Sequence, residues 1–273
     1  MTPRFLITPE ELVSLSTVAL TKDAAHHALR VLRMTPGAPL IVFDGAGRLA
    51  RAQVVEAARD HCTIQIDATI TQSTTDSTVQ ITLLQGIAAA ERMDWIIEKA
   101  VELGVSRVIP LVTQRSTVKL DAQRAERRWQ HWRRIAIAAC MQCGRNRLPI
   151  IDAPIRLHHA LAEIAQTAPG PYPRLLLQPG AALSLRQALL ATAAAGQGLD
   201  AYADEATPSG VPRAFEPAPL HLAVGPEAGF DADEVAAAMR AGFVKVTLGP
   251  RTLRTETAGV AALAATQTLI GDF

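Results

Sequence analysis

The residues best suited to chemistry lie in "LGPRTLRTETAGVAA", residues 248–262, between a glycine-proline turn and an alanine-rich apolar run. Two arginines and Glu256 stand there, where a strand is predicted to end and a helix to begin. A guanidinium can stabilise an anion, and a carboxylate can accept a proton. The segment is therefore a candidate ligand-binding or catalytic loop.

Two further segments show the same change from an apolar strand to a glycine or proline turn: "RLLLQPG" and "AVGPEAGFDADEV". In the second, Asp231 precedes Glu234 by three positions, the spacing of a helix capping box. Taken singly, each loop is also explained as a well-capped turn. Because ligands gather at the carboxyl ends of parallel strands, the three turns are candidates for one shared site.

The elements that must position these loops alternate between apolar strands and amphipathic helices. "VQITLLQGI" predicts a strand, "ERMDWIIEKAVELGV" a helix that ends at Gly104, and "VSRVIPLVT" another strand before a long helix from about 122 to 142. This alternation predicts a parallel sheet covered by helices. No internal repeat interrupts it.

A smaller β-rich domain precedes this α/β region. From Arg4 to about Ile70 the chain consists of short alternating runs, and "DGAG" predicts a hairpin turn. The polar run "TQSTTDST" marks the boundary, which predicts domains over 1–72 and 73–273. A stretch rich in Ala, Gly and Pro, about 193–219, is predicted to be a flexible insertion.

Charge is concentrated in one segment of an otherwise balanced chain. The formal net charge is +1, yet residues 115–147 hold nine basic residues against two acids, a local charge of +7. Two tryptophans and a histidine lie inside it, as in many nucleic-acid surfaces. Two interpretations stay open: a solvated helix face whose tryptophans belong to the core, or an arginine-rich surface neutralised by phosphate.

The sequence lacks the motifs that are typical of several classes of enzyme. The sequence has no Walker loop, no Gly-x-Ser-x-Gly and no complete Gly-x-Gly-x-x-Gly. "CMQC" has no second cysteine pair, and the two His-His pairs lack acidic or cysteine partners, so we assign no metal. Three cysteines, no signal pattern and no apolar run of spanning length lead us to expect a cytoplasmic protein that is not inserted in a membrane.

Taken together and in order, these segments resemble one family. "PRF", "HHALRVLRM" with "LIVFDGAG", "ERMDWIIEKAVELGVSRVIPLVTQRSTVKL", "RWQHWRRIAIAACMQCGRNRLP" and "LGPRTLRTETA" are similar to the 16S ribosomal RNA (uracil-N3)-methyltransferase family. That family belongs to the SPOUT class of S-adenosylmethionine-dependent enzymes. The resemblance covers nearly the whole chain.

The resemblance implies an N-terminal PUA-like β-barrel domain that binds RNA, and a C-terminal SPOUT α/β domain with a trefoil knot. It implies methylation of N3 of a specific uridine in the decoding region of 16S rRNA, with S-adenosylmethionine as cofactor. It also implies a homodimer, with 16S rRNA as the partner, within the small ribosomal subunit. Two other functions stay open: a non-catalytic ribosome-associated RNA-binding protein, or a SPOUT methyltransferase that acts on another RNA.

The resemblance also assigns residue roles. The predicted catalytic residues are Arg254, Arg145 and Glu256, with an arginine stabilising negative charge on the uracil oxygens and Glu256 or water accepting the N3 proton. The predicted cofactor-binding residues are Leu177, Gln178, Gly225, Glu227, Gly229, Leu248, Gly249, Leu253 and Ala258. The predicted RNA-binding residues are Arg4, His26, Arg30, Arg33, Arg115, Lys119 and Arg147.

Two positions depart from the family pattern. Ala228 stands where the family commonly has the first of two glycines, which an alanine can replace if its φ is negative. Ala89 stands where family members usually carry a basic residue.

Overall fold

A computed structural model describes residues 2–14, 16–59, 61–72, 75–89, 91–116, 121–167, 173–194 and 219–273. The chain divides into two compact units: Met1–Asp76 with Ile137–Leu148, and Ser77–Ala136 with Pro149–Phe273. Residues 137–148 thus belong to the first unit although they follow residue 77 in the chain. Most of the predicted insertion lies outside the described residues.

The first unit is built on a five-stranded sheet in the order β1-β3-β4-β5-β2. The predicted hairpin joins β3 to β4 in antiparallel pairing, and Gly45 and Gly47 adopt the positive φ that its turn requires. A buried cluster that includes Phe5, Leu12 and Ile64 forms the core. The strands are β1 (Arg4–Leu6), β2 (Thr17–Ala19), β3 (Pro39–Phe43), β4 (Arg48–Ala57) and β5 (Cys62–Gln72).

Two short helices accompany this sheet, α1 (Pro9–Ser14) and α2 (Lys22–His26). The second runs directly into a π-helical turn, His27–Val31. A π-helical turn changes the spacing of side chains around the helix axis. The basic residues of "HHALRVLR" therefore do not follow a regular α-helical row.

The second unit contains a seven-stranded sheet in the order β12-β10-β11-β6-β7-β8, with β9 also paired to β7. Every ladder in it is parallel, as the alternation of strands and helices predicts. The strands are β6 (Ile81–Gly86), β7 (Arg107–Val112), β8 (Ile150–Ile151), β9 (Ile155–Arg156), β10 (Arg174–Leu177), β11 (Leu220–Val224) and β12 (Val244–Val246).

The helices cover this sheet in two groups. Helix α8 contacts α3, α6 and β11, whereas α5 contacts α7 and β7. The second group encloses an apolar core that includes Leu111, Phe230 and Phe243. The helices are α3 (Glu91–Glu102), α4 (Ala122–Cys143), α5 (Leu157–Thr167), α6 (Leu185–Ala194), α7 (Ala232–Arg240) and α8 (Thr255–Ile270).

The predicted helix ends are confirmed in two places. Gly104 follows α3 with φ +80°, and Asp231 caps α7 by accepting a hydrogen bond from the Glu234 backbone N–H at 2.7 Å. The Glu234 carboxylate accepts one from the Asp231 N–H at 3.0 Å, which completes the capping box. Within the described ranges, no helix has both the length and the apolar character needed to cross a membrane.

Candidate active site

A pocket of about 530 Å³ opens in the second unit where β10, β11 and β12 end. Its lining is provided by the three predicted strand-end loops, the start of α8 and two arginines from other elements. The lining residues are Arg92, Arg115, Leu177, Gln178, Pro179, Val224, Gly225, Pro226, Glu227, Ala228, Gly229, Phe230, Val246, Thr247, Leu248, Arg251, Thr252, Leu253, Arg254, Thr255, Glu256 and Ala258.

The loop after β11 is so closely packed that two positions around it have no room for a side chain, one at the end of β6 and one in the loop itself. A Cβ on Gly86, at the end of β6, would lie 2.3 Å from the backbone nitrogen of Pro226. One on Gly225 would lie 3.0 Å from Gly229 Cα. Gly229 itself has φ +68°, a conformation that glycine adopts at little cost. Glycine thus lets backbone, and not side chains, form this wall of the pocket.

The loops after β11 and β12 are joined by a buried hydroxyl. The Thr255 Oγ1 donates to the Gly225 carbonyl at 2.6 Å and accepts from Gln85 Nε2 at 3.0 Å. The same Gln85 nitrogen donates to the Gly86 carbonyl at 3.0 Å. All four residues are buried, so each of these bonds satisfies a group that water cannot reach. The network fixes where α8 begins relative to the β11 loop.

An arginine from α3 holds two pocket carboxylates. Arg92 Nη1 lies 3.1 Å from Glu227 Oε1, and Arg92 Nε lies 3.8 Å from Glu256 Oε1. The Ala89 N–H also donates to Glu227 at 3.0 Å. Burial raises the pKa of Glu227, but the N–H groups of Ala89 and Glu227 and the Arg92 guanidinium outweigh burial and lower it below its ordinary value. Glu227 is therefore an anion at neutral pH.

One carboxylate oxygen of Glu256 has no hydrogen-bond partner among the described residues. This oxygen, Oε2, is buried, whereas Oε1 faces Arg92. A buried carboxylate oxygen without a partner is costly unless a ligand or water satisfies it. Glu256 lines the pocket in the first turn of α8, so its carboxylate lies beside any group bound there.

Arg254 presents a cation at the same helix end. It is the N-cap residue of α8, its side chain is exposed, and within the described part of the chain that side chain forms no hydrogen bond or ion pair. The N-terminus of a helix carries a partial positive charge. The guanidinium and the helix end together favour a ligand that carries or develops negative charge at this rim.

The two departures from the family pattern leave the loop geometry intact. Arg33 is the one non-glycine residue with positive φ in the described ranges, so Ala228 satisfies the condition for replacing glycine. The Ala228 carbonyl accepts a hydrogen bond from Arg115 at 3.3 Å. At Ala89 the contact to Glu227 comes from the backbone N–H, which any residue except proline supplies.

The pocket gathers most of the residues predicted from the sequence. Gly249 belongs to the loop after β12 but not to the lining; it has φ +132° and its carbonyl accepts from Thr247 Oγ1 at 2.9 Å. The predicted residues that do line the pocket are Leu177, Gln178, Gly225, Glu227, Gly229, Leu248, Leu253, Arg254, Glu256, Ala258 and Arg115. Their roles stay predictions.

Other predicted residues belong to the first unit. Arg145 is buried with its Nε 3.5 Å from Asp76 Oδ1, and Arg4 hydrogen-bonds Asn146 and packs 5.3 Å above the Phe43 ring. Neither lines the pocket. The predicted RNA-binding residues of this unit with exposed side chains are His26, Arg30, Arg33 and Arg147. Lys119 lies outside the described residues.

Sequence reasoning missed Arg92, Thr255 and Gln85 as site residues. Arg92 and Glu227 are 135 positions apart, and Gln85 and Thr255 are 170 apart. Arg92 stands in "ERMDW", which carried the resemblance, and Thr255 follows the predicted catalytic arginine directly. Their types were visible, but their partners become evident only when the strand ends are brought together.

The cysteines of "CMQC" lie in the last turn of α4, where Cys140 is buried and Cys143 is half-buried. The burial of Cys140 raises the pKa of its thiol to about 12. It is therefore a neutral thiol at physiological pH and a poor metal ligand in this state. Among the described residues, no group of three or more His, Cys, Asp or Glu side chains is arranged to hold a metal ion.

Comparison with known families identifies the class. Residues 75–267 match the model of an RNA methyltransferase domain, and residues 20–67 match that of an RNA methyltransferase PUA domain. The chain is thus an RNA methyltransferase with a PUA-type N-terminal region and a parallel α/β region, which confirms the coarse fold predicted from the sequence.

Individual relatives identify the family more closely. A Synechocystis protein named ribosomal RNA small subunit methyltransferase E is 31% identical over 99% of this chain and 78% of its own. The solved Neisseria gonorrhoeae protein of that name, bound to S-adenosylmethionine, is 34% identical over all of both chains, with a TM-score of 0.79. A Legionella pneumophila methyltransferase structure with bound S-adenosylmethionine is 30% identical over all of both chains, with a TM-score of 0.78. The chain belongs to the ribosomal RNA small subunit methyltransferase E family.

Proposed function

We propose that this protein transfers a methyl group from S-adenosylmethionine to N3 of a specific uridine in the decoding region of 16S rRNA. The observation that carries the proposal is the pocket where three strand-end loops and the first turn of α8 converge. Relatives over the full chain are named for small-subunit rRNA methylation, and two solved relatives hold S-adenosylmethionine.

The pocket residues fit this cofactor. A volume of about 530 Å³ is within the range of small-molecule sites, and the walls offer apolar side chains with backbone polar groups. The unpartnered oxygen of Glu256 and the anionic Glu227 suit a ligand that carries positive charge. The residues proposed to hold the cofactor are Leu177, Gln178, Gly225, Glu227, Gly229, Leu248, Gly249, Leu253 and Ala258.

The bound cofactor would supply a methyl group on a sulfonium, which is a good leaving group, so the protein's task is alignment and proton removal. We assign Arg254 to the uracil oxygens, where its guanidinium and the α8 N-terminus stabilise the negative charge that develops as N3 loses its proton. The N3 proton passes to Glu256 or to water. Arg92 orients Glu256 through the contact at 3.8 Å.

Arg145 is the second candidate for stabilising charge or holding a phosphate. Its side chain is buried with Asp76 in the first unit, so its replacement by alanine leaves a buried carboxylate without its cation. Any loss of activity in Arg145→Ala must therefore be separated from a loss of stability. A melting curve on the same preparation makes that separation.

RNA binding is proposed for both units. Arg115 at the pocket rim and Lys119 would contact RNA near the target. The exposed residues of the first unit, His26, Arg30, Arg33 and Arg147, with Arg4, would bind phosphates and position the RNA without reading bases. The substrate would be 16S rRNA within the small ribosomal subunit, in the cytoplasm.

We further propose that the C-terminal segment forms a trefoil knot and that two copies form a homodimer through this domain. The contacts of α8 support the knot: β12 lies at the edge of the sheet, yet the helix that follows contacts α3, α6 and β11. Thr255 also bonds to the β11 loop. The chain therefore returns across the sheet after its last strand.

The test is methyl transfer in vitro with S-adenosylmethionine and small subunits from a strain that lacks the gene. We expect wild-type protein to produce 3-methyluridine and Arg254→Ala to lower kcat by about 10²- to 10³-fold, as when an oxyanion contact is removed. Calorimetry should show little change in cofactor affinity. Arg186→Ala, an exposed residue on α6, is the matched control. Full activity of Arg254→Ala would refute this role.

A further inference from the structure

The exposed side of α4 carries a row of basic residues. At 100° per residue these side chains fall within about 120° of the helix circumference, and the row rises about 15 Å along the axis. Most are exposed, and Arg128 is half-buried. We call the row the α4 ridge; its members are Arg124, Arg127, Arg128, His131 and Arg134.

The other side of α4 is anchored to the second unit by its two tryptophans. Trp132 is 1% exposed and donates from Nε1 to Asp94 Oδ1 at 3.1 Å. Trp129 donates from Nε1 to the Ile151 carbonyl at 2.7 Å, and Arg133 lies 5.1 Å above its ring. The tryptophans are thus used in packing and not as stacking platforms, so the cations remain as the features that can bind a partner.

The protein's own acids neutralise little of the ridge: His131 Nε2 lies 2.8 Å from Asp94 Oδ2, but the arginines have no strong acidic partner among the described residues. Among the described residues, Arg127 and Arg128 form no ion pair, and Arg134 donates only to the Gln130 carbonyl of its own helix, at 3.3 Å. Arg124 pairs with Asp121 at 3.3 Å, but both side chains are largely exposed, which makes such a pair weak. Like charges at this spacing repel one another and attract an external anion.

We propose that the α4 ridge binds the phosphate backbone of the substrate RNA outside the methylated nucleotide; this rests on the function proposed above. Arg127 and Arg128 are adjacent, and the other members stand one helical turn apart, about 4.5 to 6 Å along the axis. One strand of a nucleic-acid duplex carries a charge about every 3.4 Å of axis, so the ridge can face several phosphates. Guanidinium groups can bind phosphate oxygens through two hydrogen bonds. The exposed surface of α4 holds no large apolar side chain among the described residues, whereas the centres of protein interfaces are enriched in them.

Phosphate contacts of this kind set affinity and register but not the choice of base. Because the ridge residues do not line the pocket, their loss should leave the chemistry itself intact. The expected signature is weaker RNA binding with a smaller dependence on salt, and a raised KM for RNA with kcat little changed.

The experiment compares two variants of the full-length protein that lose the same charge. In the first, Arg124, Arg127, Arg128 and Arg134 are replaced by glutamine. In the second, which serves as control, four exposed basic residues of the second unit outside α4 are replaced by glutamine: Arg156, Arg186, Arg240 and Lys245. Binding to protein-free 16S rRNA is measured across a range of KCl concentrations, and binding of S-adenosylmethionine by calorimetry.

We expect the ridge variant to bind RNA at least about tenfold more weakly at 0.1 M salt. Its log–log salt slope should fall by about 2 to 3, because each neutralised phosphate of a single strand adds about 0.7 to the slope. The control should lose much less, and both variants should keep cofactor affinity and melting temperature. Equal losses in the two variants, or an unchanged slope in the ridge variant, would overturn the proposal. Failure of the wild-type protein to methylate 16S rRNA would instead overturn the proposed function.

Discussion

The pocket at the ends of β10, β11 and β12 and the α4 ridge are both parts of the second unit that hold arginines, but they are built in opposite ways. In the pocket, groups are fixed by buried hydrogen bonds and by backbone so closely packed that a Cβ added at Gly86 or Gly225 would lie 3.0 Å or less from it. On the ridge, the side chains are mostly solvated, and Arg127 and Arg128 form no ion pair among the described residues. Single substitutions should therefore disrupt the pocket, whereas the ridge should lose RNA binding gradually as its arginines are replaced.

The largest effect is expected at Gly86. Gly86→Ala should destabilise the protein by about 3 kcal/mol and abolish cofactor binding, because the added Cβ would lie 2.3 Å from the backbone nitrogen of Pro226. Urea unfolding and calorimetry measure the two effects. Gly180→Ala is the control: its φ of +76° implies strain of about 1 kcal/mol, but its Cβ would enter open space. Equal losses in the two variants would contradict the close approach.

A second prediction concerns pH and the buried His221 on β11. Burial, with Arg174 and Arg107, lowers its pKa to about 4 from an ordinary 6.5. The unfolded chain therefore binds the proton more readily than the folded one, and stability falls as pH drops from 6.5 toward 4, by up to about 3 kcal/mol. His221→Leu should remove most of this loss. An unchanged pH dependence in His221→Leu would show that other groups cause it.

The third prediction tests the link between the two pocket loops. Thr255→Val removes the hydroxyl that Gly225 and Gln85 share and should cost about 2 kcal/mol, together with cofactor affinity. Thr255→Ser keeps the hydroxyl and should restore most of both. A valine variant as stable as the wild type would show that the hydrogen bonds do not matter, since valine keeps the methyl group of threonine.

The smallest effects are expected for single substitutions on the ridge. Arg127→Gln or Arg128→Gln should each weaken RNA binding by only a few-fold and lower the salt slope by about 0.7. Their double variant should weaken binding further and lower the slope by about 1.4, since each residue accounts for about 0.7. A large loss from one substitution would mean that the ridge contains a specific contact, as the pocket does.

The sequence was informative where the signal is local. Glycine, proline and the capping pair Asp231 and Glu234 marked the strand ends and helix starts, and all three loops line one pocket. Long-range contacts gave no such signal, so Arg92 was missed although it contacts both Glu227 and Glu256. The α4 helix reads as one element, and nothing in its pattern showed that residues from Ile137 onward pack with the first unit.

The RNA-facing residues of the first unit illustrate a different limit. An ordinary α-helix over "HHALRVLR" would align several of its basic side chains on one face, but α2 continues into a π-helical turn and Arg33 follows with φ +53°. Local patterns do not reveal that a helix will change its pitch, because the change depends on packing against the sheet. The proposed RNA-binding role of His26, Arg30 and Arg33 is therefore supported by their exposure and not by a shared helix face.

The most direct test of the central claim is nucleoside mass spectrometry of 16S rRNA from a strain that lacks the gene, complemented with wild-type protein or with Arg254→Ala. We expect one 3-methyluridine in the decoding region to disappear on deletion, to return with the wild-type protein and not to return with the variant. An unchanged 16S rRNA in the deletion strain, or the loss of a methyl group at another atom or in another RNA, would contradict that claim.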